Sequence, residues 1–255
     1  FYYMMEALNL SRVCNAVGSL GIMRRAYEEA LAYARQRTAF SRRLIEFPMV
    51  QETLGKMVAK QEIELETMFE VVELMDKVMG KDPENLPSER ENILFRLFVA
   101  LLKVETAEQA IRFAHEAIEL HGGNGYIEDF VTPRLLRDAQ VLTVWEGTAN
   151  ILGLEVLRLI HKFNVENLFA DFIEKRLAGI KQDELTPWKE TIHTALKSLL
   201  EQIEKVKQMP GDLQTFYCKK IGKKITDLYE SIVAIEQLAT GDERQKAIAE
   251  VYLHE

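Results

Sequence analysis

Glu146 stands between Trp145 and Gly147, just ahead of the apolar-periodic run TANILGLEVLRLI. A carboxylate that precedes a helix start is favoured as the anion by the helix dipole. Burial beside Trp145 would push it towards the neutral acid, and the balance of the two is how a general base is tuned. Taken alone, Glu146 reads first as an N-terminal acid that only supports its helix. A second cluster, HGGNGY, carries Gly122, Gly123 and Gly125 followed by Tyr126. One glycine is the commonest helix stop. Two adjacent glycines and a third exceed that need, since glycine opens positive φ and lets another group approach the main chain. The cluster does not follow a strand and is not GxGxxG, so a Rossmann reading fails. The stretch 121–160 therefore reads as a cofactor edge joined to a catalytic base.

Other groups carry weaker signals. His115, Glu119 and His121 could suggest a metal site, but HExxH is absent, and a solvated or supporting role is preferred; no metal is expected. Lys219, Lys220, Lys223 and Lys224 make a local basic face flanked by acids, which reads as solvated. Met and Phe residues at helical spacing read as core.

Long helices must position the glycine and acid clusters. Between about residues 10 and 37, Val13, Val17, Leu20, Tyr27, Leu31 and Ala34 keep helical spacing. RTAFSRRLIEFP then reads as a charged turn ending at Pro48. A second helix carries Val50, Leu54, Met57, Val58, Gln61, Leu65, Met68, Phe69, Val72 and Met75 on one side, and stops in the loop GKDPENLPSE. Ser88 and Glu91 form a capping box for a third helix. There Ile93, Leu97, Ala100, Val104, Ala107, Ile111, Ala114 and Ile118 alternate steps of four and three, a seam suited to a bundle. Pro133 opens a short helix, and the last bundle helix begins near Thr148. The fold expected is all-α: an up-and-down helical bundle over 1–162, with a more charged helical extension over 163–255.

The net charge of −8 argues against a general nucleic-acid surface, which needs clustered positive charge. Cys14 and Cys218, without CxxC spacing, read as reduced core residues, so a cytoplasmic setting is the default. No apolar run approaches the about 20 residues of a transmembrane span. The first residues lack the layout of a signal peptide. A chain that begins at Phe1 reads as processed or cut from something longer.

HGGNGY, LLRDAQ and VWEGTANI, in that order, resemble the C-terminal helical domain of the acyl-CoA dehydrogenases. Upstream, ARQRTAFSRRLIEFP resembles that family's flavin-contacting segment, usually an Arg-x-x-Phe-Gly core followed by Phe-Gln. EALNLSR resembles the segment that opens the domain's first helix, and the likeness covers roughly residues 5–160.

The resemblance implies that Glu146 takes the α-proton of an acyl-CoA thioester while the β-hydrogen leaves as hydride to FAD. The thioester carbonyl would be held partly by the backbone N–H of Glu146. Arg37 and Phe40 would contact the FAD of a neighbouring subunit, with Gly122 and Gly123 at its adenosine end. Thr148 and Asn150 would touch the chain's own FAD. Asn9, Arg12, Trp145 and Gly147 would line the substrate side. The implied partners are an acyl-CoA, an electron-transferring flavoprotein and a second copy in a homodimer or homotetramer.

Ser41 stands in place of the family's Gly, and Pro48 and Glu119 in place of Gln residues. Ser11 occupies the alternative base position and cannot serve as one, which strengthens Glu146. The family's other two domains have no counterpart here, so the chain alone is expected to be an inactive fragment that holds FAD weakly. Two alternatives remain open: an acyl-CoA oxidase, and an alkylation-response flavoprotein with a DNA- or partner-binding role.

Overall fold

The computed structural model describes residues 2–80 and 86–255. Residues 81–85, the middle of the expected loop after the second helix, lie outside the described residues. The described part has nine α-helices: α1 (Tyr2–Gln36), α2 (Pro48–Met79), α3 (Glu89–His121), α4 (Thr132–Leu142), α5 (Ala149–Phe163), α6 (Val165–Gly179), α7 (Thr186–Lys207), α8 (Gly211–Thr240) and α9 (Glu243–Leu253). The all-α expectation holds. None of these helices is long and apolar enough to cross a membrane.

α3 is the axis of the molecule. It packs against α1, α2, α4, α5, α6 and α8, and its capping box is formed as expected: the Ser88 side chain accepts from the Glu91 N–H while Glu91 accepts from the Ser88 N–H. The expected seam is buried at Ile93, Leu97, Ala100, Ala107 and Ala114. Burial continues around the helix through Phe95, Phe98, Leu102, Lys103, Glu105 and Thr106. A helix enclosed on most sides must satisfy its polar side chains internally.

α1 begins about eight residues earlier than its spacing predicts. Val13, Leu20 and Ala34 are buried on it as expected, but Val17 is half exposed and Cys14 is exposed. The core assignment is therefore right for Cys218 alone. The charged turn contains a small antiparallel hairpin, β1 (Thr38–Ala39) paired with β2 (Arg42–Arg43). Phe40 and Ser41 join the strands with φ of +50° and +68°. Positive φ at both central residues matches the right-handed twist of a two-residue hairpin. Ser41 thus adopts the conformation that glycine takes at least cost.

One continuous apolar cluster runs from α1 to α8, so the extension shares the bundle's core. Phe98 of α3 meets Phe169 and Phe172 of α6 and Tyr229 of α8 at centroid distances of 4.4–6.4 Å. Burying each such ring contributes roughly 2–3 kcal/mol. α5 and α8 approach closely at Gly153, where a Cβ would lie 2.6 Å from Cys218 Sγ. Around this core Arg176 of α6 pairs with Glu70 of α2 and Glu236 of α8. Lys60 of α2 lies within 3.0 Å of carboxylates from α2, α3 and α8: Glu64, Glu105 and Glu230.

Candidate functional site

The turn 143–148 between α4 and α5 carries the acid. After α4 the backbone reverses through Glu146 at φ +61° and Gly147 at φ +105°, and Thr148 becomes the N-cap of α5. A non-glycine residue at positive φ is uncommon and costs on the order of 1 kcal/mol. Such residues persist where the surroundings over-determine them, often at functional positions.

Three side chains hold this turn. Ser11 Oγ of α1 donates to Glu146 Oε1 at 2.7 Å. Arg12 Nε donates to the Glu146 carbonyl at 3.1 Å, and its Nη1 donates to Asn9 Oδ1 at 3.1 Å. Lys103 Nζ of α3 donates to the carbonyls of Gly147 at 2.7 Å and Thr143 at 3.3 Å. Among the described residues the backbone N–H of Glu146 has no hydrogen-bond partner. The turn therefore directs its carbonyls towards cations and keeps one donor beside the carboxylate free.

Burial lowers the pKa of Arg12, opposed by Glu155 and Glu146. Lys103 is pushed down to about 8, first by burial and then by Arg12, with Glu146 opposing. Glu146 itself is part-exposed. Around it Val141, Val144, Trp145, Ile151 and Leu154 are exposed, with Trp145 at 58%. Thr148 and Asn150 are exposed at the start of α5, and the Thr148 hydroxyl makes no cap hydrogen bond.

The glycine cluster lies at the other end of α1. Its turn, Gly122–Gly125, is pinned by the ring of His121, which stacks on Tyr33 at 4.1 Å and whose Nδ1 is 2.7 Å from the Ala117 carbonyl. Asn124 donates to the Tyr33 hydroxyl at 3.0 Å. His121 is thus committed to packing while His115 is exposed, which agrees with the preference for a supporting role. Gly122 needs its glycine at φ +60°, and Gly125 needs it because a Cβ would lie 2.5 Å from the Ile118 carbonyl oxygen. At Gly123 a Cβ would meet nothing, and both Gly122 and Gly123 face outward. Arg37 and Phe40 follow α1 at this end. Arg37 is exposed, and Phe40 is 91% exposed.

The structure thus brings Asn9, Arg12, Trp145, Glu146, Gly147, Thr148 and Asn150 to one end of α1, and Arg37, Phe40, Gly122 and Gly123 to the other. From Arg12 to Tyr33 the helix rises roughly 32 Å, at about 1.5 Å per residue. Two residues that meet this turn are not among those the sequence singles out for binding or catalysis. Ser11 cannot serve as a base, yet it donates to the acid. Lys103 follows the apolar run LFVALL, and a charge that closes such a run signals that something polar must meet it.

Comparison with known proteins places the chain in a context. The domain described as acyl-CoA dehydrogenase, C-terminal domain, matches residues 1–161. Acyl-CoA dehydrogenase family member 11 of Caenorhabditis elegans is 37% identical over 201 residues, covering 78% of this chain and 32% of that protein. A mitochondrial isovaleryl-CoA dehydrogenase of Oryza sativa subsp. japonica is 32% identical over 161 residues, covering 63% of this chain and 36% of that protein. The chain spans about a third of the length of these relatives. The crystal structure of Caenorhabditis elegans ACDH-11 in complex with C11-CoA superposes with a TM-score of 0.84 at 33% identity, covering 97% of this chain and 42% of that one. The likeness includes α6 to α9, beyond the matched domain.

Proposed function

Because the chain belongs to the acyl-CoA dehydrogenase family, we propose that it forms the C-terminal part of a flavin-dependent enzyme that oxidises an acyl-CoA thioester to the trans-2-enoyl-CoA, with Glu146 as the base. The observation that carries this reading is the Glu146 turn: a carboxylate held by Ser11, beside a backbone N–H without a partner. An α-proton is too weakly acidic for a free carboxylate to remove. A thioester carbonyl that accepts from the Glu146 N–H would have its developing enolate charge stabilised where the proton leaves. Arg12, fixed to the Glu146 carbonyl and to Asn9, holds the peptide that follows the acid. Trp145 and the exposed apolar residues beside it supply a surface for the acyl chain.

The residues at both ends of α1 suit FAD. The exposed Arg37 guanidinium has no ion-pair partner among the described residues, as a diphosphate site requires, and the outward backbone of Gly122 and Gly123 leaves room for a large group. Bound flavin would supply the hydride acceptor. Thr148 and Asn150 would meet the flavin of the chain's own site, and Arg37 and Phe40 that of a neighbouring subunit. This arrangement makes the working form a homodimer or homotetramer that passes electrons to an electron-transferring flavoprotein. We assign 1–162 to the catalytic bundle and 163–255 to an extension packed on it. The chain by itself would lack the remaining flavin contacts and would not turn over.

The test is Glu146→Gln in the full-length, FAD-loaded protein with C11-CoA. Loss of a positioned general base lowers flavin reduction by about 10²–10⁴-fold. An unchanged rate would remove Glu146 from the chemistry.

A further inference from the structure

Lys103 is 1% exposed, and both its hydrogen bonds go to backbone carbonyls. A buried ammonium normally pairs with a carboxylate, since an unpaired buried charge is costly. Here the cation sits under the turn that carries Glu146 and grips it on both sides, at Thr143 before the acid and at Gly147 after it. A third carbonyl of the turn, that of Glu146, is held by Arg12. Between these anchors the backbone takes a conformation at Glu146 that a non-glycine residue does not favour. Charge-assisted donors are roughly twice as strong as neutral ones, so this grip suits the strain it must hold.

Resting on the assignment of Glu146 as the base, we propose that Lys103 is the positioning residue for that base: it locks the 143–147 turn so that the Glu146 carboxylate and its free N–H stay in register for α-proton removal. Lys103 does not touch substrate. It acts through the carbonyls of residues 143 and 147, and through a favourable charge interaction with Glu146.

The probe is incorporation of deuterium at the α-carbon of C11-CoA in D2O by the full-length, FAD-loaded protein, read by mass spectrometry. Misplacing a reacting group by about 1 Å costs on the order of 10²-fold. Lys103→Met should therefore lower exchange by about 10²-fold, with KM for C11-CoA moving less than about threefold and flavin absorbance retained. Lys103→Arg, which keeps a cation with several donors, should recover exchange to within about tenfold of the parent.

A second measurement serves if Lys103→Met does not fold. The charged groups acting on Lys103 are Arg12 from α1 and Glu146 from the turn, and with burial they leave it titrating near 8. Exchange by the parent should fall severalfold above about pH 8. Lys103→Arg, charged throughout that range, should not show the fall. Exchange by Lys103→Met within threefold of the parent, or an alkaline fall that persists in Lys103→Arg, would overturn the proposal. A parent-like rate in Glu146→Gln would instead overturn the base assignment and is scored separately.

Discussion

Ser11 and Glu146, separated by 135 positions in the chain, meet through a 2.7 Å hydrogen bond from hydroxyl to carboxylate. The contact joins the first helix to the turn before the fifth, and it fixes one oxygen of the acid. A hydrogen bond to one carboxylate oxygen fixes the orientation of the group. Ser11→Ala in the full-length protein should lower the dehydrogenation rate near neutrality by about threefold to tenfold. Ser11→Thr, which keeps the hydroxyl, should stay near the parent. A rate for Ser11→Ala equal to the parent's would show that the bond has no bearing on the acid.

The close approach of α5 and α8 gives a stability prediction. A Cβ at position 153 would meet Cys218 Sγ at 2.6 Å and Cys218 Cβ at 3.3 Å. Gly153→Ala should destabilise by about 1–3 kcal/mol, the usual cost of overpacking. Cys218→Ala removes the nearer atom, so the double variant should regain about 1 kcal/mol relative to additivity. Denaturant melts of the four proteins measure this coupling. Additive behaviour would mean that the helices move apart instead.

The ion cluster that ties the extension to the bundle predicts a pH dependence. Burial raises Glu64 to about 8 against an ordinary 4.5, with Lys60 opposing, and burial raises Glu230 too. Glu105 is also buried, but Lys60 and Lys223 hold it down to about 2. Between pH 4.5 and 8 the folded state keeps a proton on Glu64 that the unfolded chain has released, so stability falls as pH rises through that window. Glu64 alone contributes a slope of at most about 1.4 kcal/mol per pH unit, or roughly 3–6 °C in Tm for a chain of this size. Glu105 acts in the opposite sense and only below about 4.5. Melting should therefore come earlier at pH 8 than at pH 5.5, and Glu64→Gln should flatten the difference. A Tm that climbs across this interval would contradict the assignment.

The helices were legible because their apolar positions recur at helical spacing over many turns, and Ser88 and Glu91 announced a cap that forms. The site was legible in its residue types and less so in its geometry. Nothing local to VWEGT says that Glu146 lies at positive φ, and the side chains that bond to this turn, Arg12 and Lys103, come from distant helices. Val17 fits the periodic pattern of α1, yet it is half exposed because the spacing does not say which face lacks a neighbour. Cys14 misled for the same reason. The hairpin at Phe40 and Ser41 was hidden because neither residue is a usual left-handed former.

α1 also sets an angular constraint. Each residue along a helix turns the chain by about 100° as well as advancing it. Inserting one residue between Arg12 and Tyr33 would thus swing Arg37 a quarter turn or more about the helix axis relative to Ser11, while adding only about 1.5 Å of length. Surface loops in this chain can lengthen without touching either end of α1, but the helix that joins them cannot change by a single position and keep both ends facing their partners.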